Sequence, residues 1–210
     1  MKLYLSSFRL GDHPERWVAM LPPRARIGVI CNAIDIVEPV EREEKVRAEH
    51  RWLVELGLLP TEIDLRDFAP AKTAPDLPAL LSQFDGLWVR GGNVFTLRTA
   101  MARSGLDQVL PELIRSEQLV YAGYSAGGCV LAPSLRGLEL CDDSAVVDEV
   151  LWDGLGLIDE AFVPHLDSPG HPETDLIDKV RDLYERTGVP YVGLRDGQAL
   201  VIDGDSRELV

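Results

Sequence analysis

The sequence predicts an α/β protein, a three-layer sandwich around a mainly parallel sheet. Two observations carry this. Short apolar, β-branched segments alternate with longer amphipathic ones up to residue 131, and such alternation marks helices packed on both faces of a parallel sheet. A Gly-x-Ser-x-Gly turn, Gly123-Tyr124-Ser125-Ala126-Gly127, stands where an apolar segment gives way to a helical one. The second half is less regular and reads as one helix and several closing strands.

Residues 2–6 (KLYLS) are the first strand candidate. Residues 26–31 (RIGVIC) are the second, apolar throughout their centre as a buried parallel strand should be. Residues 41–56 carry a helical pattern, with Val46, Leu53 and Leu56 on the apolar side, and Gly57 ends it. Residues 62–65 are a third strand candidate and residues 77–84 a helix. Residues 86–89 (GLWV) make a fourth strand, followed by a tight turn, Arg90-Gly91-Gly92-Asn93. Residues 95–115 hold one or two helices, broken near Gly105. Residues 119–123 make a fifth strand, and residues 126–131 open a helix. Further on, residues 161–163 read as a strand. Residues 173–187 read as a helix with Leu176, Val180 and Leu183 on one side, and residues 191–194 and 199–202 as closing strands. The most loop-like stretch, residues 70–78 (PAKTAPDLP), is too short to separate domains. Residues 1–210 therefore read as one domain.

The chain is 46% hydrophobic and 27% charged, which excludes disordered, collagenous and disulfide-stapled classes. Lys and Arg number 21 against 35 Asp and Glu, a formal charge of −14. That charge repels phosphate backbones and anionic membranes, so neither nucleic acid nor membrane is expected as a partner. Cys31, Cys129 and Cys141 show no metal spacing and read as reduced thiols. The early apolar stretch is broken by Ser6, Ser7 and Arg9, and no run reaches transmembrane length. A cytoplasmic protein is the expectation; oligomeric state, a homo-oligomer included, is left open.

The serine turn is the most specific feature. A sharp strand-to-helix turn strains the serine backbone and lifts its hydroxyl out of the sheet, while small neighbours avoid collision. The competing reading is a plain strand–turn–helix connection with an incidental serine. Gly91-Gly92-Asn93 lies at another strand end, where glycines let backbone approach a ligand. Backbone N–H groups of Gly92 and Ala126 could together stabilise an oxyanion. A serine hydroxyl needs a base. His13 and His50 read as solvated, in an early loop and on the charged helix. His165 follows an apolar segment at a strand's carboxyl end and is preferred; His171, in a nearby loop, is the alternative. Asp196 follows another strand and can orient the base, giving the order Ser125, His165, Asp196. Acids between Ser125 and His165 are the other option. Cys31, at a strand end but without an elbow, is a weaker nucleophile candidate.

Gly91-Gly92-Asn93-Val94-Phe95, Gly123-Tyr124-Ser125-Ala126-Gly127-Gly128, Pro164-His165, Gly170-His171 with Glu173-Thr174, and Gly193-Leu194-Arg195-Asp196-Gly197 occur in that order. Together they resemble the dipeptidase E (aspartyl dipeptidase) family of serine peptidases and its cyanophycinase relatives. The resemblance covers nearly the whole chain. It implies a class I glutamine amidotransferase-like fold with serine in place of cysteine at the elbow. The family's triad maps onto Ser125, His165 and Asp196, the last often Glu elsewhere, and its oxyanion donors onto Gly92 and Ala126. A further family acid corresponds to Asp142 or Asp143. Asn93, Glu173, Asp175 and Arg195 fall at or beside substrate-binding positions. One departure stands out: the family reads Gly-Glu-Thr-Arg where this chain reads Pro172-Glu173-Thr174-Asp175. The family Arg pairs with an aspartyl side chain, and an Asp there repels one. Loss of such a pair in a desolvated site costs roughly 2–5 kcal/mol. Arg195 or Arg90 could substitute.

The resulting expectation is a serine peptidase acting on short peptides through an acyl-enzyme, with no metal or organic cofactor and without strict aspartyl specificity. The alternatives are a cyanophycinase-like exopeptidase or esterase on the same scaffold, and a non-catalytic binding subunit.

Overall fold

The computed structural model describes residues 1–69 and 76–210, so most of the loop-like stretch at 70–78 lies outside the described residues. The strands are β1 (Lys2–Ser6), β2 (Arg26–Ile30), β3 (Leu59–Glu62), β4 (Gly86–Val89), β5 (Val120–Tyr124), β6 (Ala161–Val163), β7 (Tyr191–Gly193), β8 (Ala199–Asp203) and β9 (Ser206–Leu209). The helices are α1 (Glu15–Val18), α2 (Pro39–Glu55), α3 (Leu77–Leu81), α4 (Val94–Ser104), α5 (Leu106–Arg115), α6 (Ala126–Cys129) and α7 (Thr174–Thr187).

Among the described residues, seven strands form one sheet in the order β3-β2-β4-β5-β1-β8-β9. The first five are mutually parallel, while β8 and β9 add antiparallel at one side. The central strands are apolar on both faces, which only a sheet covered on both sides can accommodate. Leu3, Leu5, Leu87, Val89 and Tyr121 enter one core with residues of α4, α5, α6 and α7. Tyr4, Trp88, Ala122 and Tyr124 enter the other, with Trp17 of α1 and Val46 and Leu53 of α2. The period-two alternation of these side chains builds the three layers. Each large apolar side chain fully buried there contributes about 1.5–3 kcal/mol.

Several local expectations shift. The third strand lies at Leu59–Glu62, not at 62–65, because the Asp64 carboxylate caps the Arg66 N–H and starts a 3-10 turn at Leu65–Phe68. The buried face of α2 is Arg42, Val46, Glu49 and Leu53, while Leu56 is half-buried. Arg42 is tolerated on that face because it is satisfied: it bonds Asp35 at 2.9 Å and Glu62 at 3.0 Å. On α7 the core face is Ile177, Val180 and Tyr184, one helical step away from Leu176 and Leu183. The segment β7 does not close the main sheet; it pairs in parallel with β6 as a separate two-stranded ribbon. The short polar strand β9 and the single-turn α1 have no periodicity to announce them.

Candidate active site

The serine turn forms where β5 meets α6. Ser125 has φ 49° and ψ −118°, a positive-φ conformation rare for a residue with a Cβ. The surrounding crowding accounts for the small residues. A Cβ on Gly127 would sit 2.2 Å from the Val89 carbonyl oxygen, so only glycine lets the elbow press against β4. Gly92 has φ 143°, and a Cβ there would meet the Ala33 carbonyl oxygen at 2.6 Å. Among the described residues, neither Gly92 nor Ala126 donates its N–H within the chain.

His165 lies just after β6 and Asp196 shortly after β7, so the small ribbon brings the two together. Asp196 Oδ1 is 2.7 Å from His165 Nδ1. The imidazole is 2% exposed. Burial holds its pKa below the ordinary imidazole value, with His171 pushing the same way and Asp196 opposing. Side chains distant in sequence brace this pair. The Ser7 hydroxyl donates to Asp196 Oδ1 at 2.9 Å and accepts the His165 backbone N–H at 2.8 Å. Thr174 Oγ1 donates to the His165 carbonyl at 2.6 Å, and the Asp196 N–H donates to Ser168 Oγ at 2.8 Å. Ser125, His165, His171 and Glu173 line a cavity of about 370 Å³ with Phe8, Arg9, Lys45, Trp52, Arg90 and Gly92. Among the described residues no hydrogen bond links Ser125 to His165; such bonds often tighten only with substrate present.

His171 stacks on His165, ring centres 3.7 Å apart and 3° from parallel. Its Nδ1 accepts the Glu173 N–H at 3.3 Å. The ligand atoms of His165, His171 and Glu173 lie within 4.8 Å of one another, the one such group among the described residues. Face-to-face rings cannot aim both in-plane lone pairs at one ion, so this grouping is a poor metal site as it stands.

Not every predicted residue reaches the cavity. Asn93 is spent as the cap of α4: its Oδ1 accepts the Thr96 N–H at 2.9 Å and its Nδ2 donates to the Asp143 carbonyl at 2.9 Å. Asp175 is exposed on the first turn of α7, and Arg195 is 67% exposed beside Asp167; neither lines the cavity. Arg90 does line it, at 3.0 Å from Glu49. Asp142 accepts the Val94 N–H at 2.7 Å, and burial pushes its carboxyl up to about 7. His13 is exposed beside Glu15. His50 is half-buried rather than solvated, its Nε2 buried and without a partner among the described residues, at a separate cavity of about 570 Å³.

Sequence reasoning missed Ser7, Thr174 and Glu49. Glu49, 1% exposed, accepts Trp88 Nε1 and the Tyr124 hydroxyl, both at 2.7 Å, and so fixes the residue before the nucleophile candidate. Burial pushes its pKa up. Nothing in a charged helical stretch distinguishes it beforehand except its place one turn from Val46 and Leu53.

A strained serine at a parallel sheet's carboxyl edge, sharing a cavity with a buried imidazole held by a half-buried carboxylate, belongs to an α/β protein of the class I glutamine amidotransferase-like fold. Residues 39–210 match Peptidase family S51, and the chain belongs to that family. Peptidase E of Streptomyces coelicolor is 37% identical over 131 residues, 60% of this chain and 52% of that protein, so the chain spans about half its length. Peptidase E of Shewanella baltica OS155 is 26% identical over 233 residues, covering 99% of this chain and 86% of that protein. A crystal structure of a candidate peptidase E from Listeria monocytogenes EGD-e matches with TM-score 0.78 at 23% identity, over 100% of this chain and 97% of that one. No helix among the described residues is long and apolar enough to cross a membrane.

Proposed function

We propose that this chain, as a single catalytic domain, hydrolyses short peptides through an acyl-enzyme on Ser125. The observation that carries the reading is the 2.7 Å bond by which Asp196 holds the ring of His165, which lines the same cavity as the strained Ser125. With Nδ1 tied to the carboxylate, Nε2 is the nitrogen that takes the Ser125 proton as the hydroxyl attacks the peptide carbonyl. Burial keeps the imidazole neutral and ready to accept it. The free N–H groups of Gly92 and Ala126 stabilise the oxyanion. The imidazolium, balanced by Asp196, then protonates the leaving amine, and water releases the acyl group by the reverse path. Glu173, in the same cavity, offers its carboxylate to a substrate ammonium group. Strict aspartyl specificity is not part of this proposal, since Asp175 stands at the family's Arg position and outside the cavity. Three free cysteines, two of them buried, support work in a reducing cytoplasm, with peptides rather than nucleic acid as partners.

Turnover of a dipeptide and tripeptide library by Ser125→Ala tests this. A loss of at least about a thousandfold is expected, together with loss of fluorophosphonate labelling. Unchanged turnover in pure protein removes the assignment.

A further inference from the structure

One wall of the cavity has no part in the chemistry above. Arg9 stands on it, its guanidinium carbon 4.7 Å from the centre of the Phe8 ring and 5.1 Å from that of Trp52. Aromatic faces hold a cation in place without neutralising it. Among the described residues no carboxylate lies within ion-pair distance of Arg9. The cavity's other cations are committed, Arg90 to Glu49 at 3.0 Å and Lys45 to Glu41 at 3.1 Å. Among the arginines that line this cavity, Arg9 is the one left without an ion pair among the described residues.

The loop that presents it is stiff. Arg9 has φ 49°, positive like that of Ser125. Its carbonyl accepts the Ser6 hydroxyl at 2.5 Å, and the Leu10 carbonyl accepts the Tyr4 hydroxyl at 2.7 Å. Phe8, the ring under the guanidinium, meets His165 edge-on at 5.8 Å and His171 at 5.2 Å. A single aromatic ring thus separates the exposed Arg9 guanidinium, without an ion pair among the described residues, from the proposed base.

We infer that Arg9 is a specificity-determining residue that binds a carboxylate of the peptide substrate. This rests on the peptide-hydrolase reading, and the carboxylate is either the substrate's C-terminus or an acidic side chain. Anchored on the Phe8–Trp52 wall, the peptide is held within the cavity that Glu173 also lines, and peptides lacking the carboxylate bind more weakly.

The test compares wild type, Arg9→Gln and Arg9→Lys on Ala-Glu, Ala-Gln and the C-terminal amide of Ala-Gln. Arg9→Gln is expected to raise KM for Ala-Glu about fivefold or more with kcat nearly unchanged, and to leave fluorophosphonate labelling of Ser125 intact. Arg9→Lys, which keeps the charge, should fall between. A KM effect that persists on Ala-Gln and vanishes on its amide assigns the C-terminus; one that vanishes on Ala-Gln assigns the side chain. Equal KM values in wild type and Arg9→Gln overturn the inference. If the wild type neither labels nor turns over peptides, the hydrolase reading falls separately. Titration calorimetry with Ala-Glu then decides on Arg9: binding lost in Arg9→Gln supports it, and equal or absent binding overturns it.

Discussion

The two sides of the cavity are held by different means. On the serine side the constraint is steric and backbone-borne: Ser125 sits at φ 49°, and Gly127 presses on the Val89 carbonyl where no Cβ fits. On the histidine side the constraint is a set of side-chain hydrogen bonds. Ser7, just past the end of the first strand, ties Asp196 to the His165 backbone, and Thr174 and Ser168 complete the brace. A steric elbow fails all at once when crowded. A hydrogen-bonded brace fails by degrees, because each bond contributes only about 0.5–1.5 kcal/mol net.

Three outcomes sharpen that contrast. Gly127→Ala should have the largest effect, about 3 kcal/mol or more, read as a fall in the denaturant midpoint, because backbone rather than a flexible side chain must move. A midpoint within error of wild type would mean that the elbow relaxes more readily than its contacts imply. Ser7→Ala should cost about 1–3 kcal/mol, since it orphans the buried His165 N–H. It should also slow turnover by roughly tenfold to a hundredfold through misplacement of the imidazole; unchanged kcat would assign Ser7 to the fold alone. The smallest effect is on pH dependence. Burial holds the His165 pKa below 6.5, so the imidazole stays neutral, and kcat/KM survives, to lower pH than an ordinary histidine allows. The same depression makes the unfolded chain bind the proton first. Stability is therefore unaffected by this group above pH 6.5 and falls as pH drops from 6.5 toward the folded value. An acid limb at or above 6.5 in a pH–rate profile contradicts the burial argument.

The serine side was legible in the sequence because steric demands write themselves as residue types. Glycines at 123 and 127 around Ser125, directly after an apolar strand, are what a crowded strand-to-helix elbow requires. The apolar runs of β1, β2, β4 and β5 were legible for a similar reason: both faces are buried, so few polar residues interrupt them. The histidine side was legible only in part. Asp196 and His165 stand at strand ends, but Ser7 is one serine among several, and its two bonds span 158 and 189 residues. Asn93 reads as a site residue beside two glycines, yet its amide is consumed by the start of α4 and the Asp143 carbonyl.

Sequence alone determined the alternation of layers and the elbow, and it singled out the serine, histidine and aspartate on which the proposed proton relay rests. These follow from local pattern and from sterics that act within a few residues. Tertiary structure alone decided which polar groups meet: that Glu49 turns inward beneath Tyr124, that Asp175 and Arg195 stay outside the cavity, and that Arg9 stands over two rings with no ion pair among the described residues. Charge and hydrogen-bond partners are set by the distance between side chains, and that distance exists only once the sheet and its crossing loops are assembled.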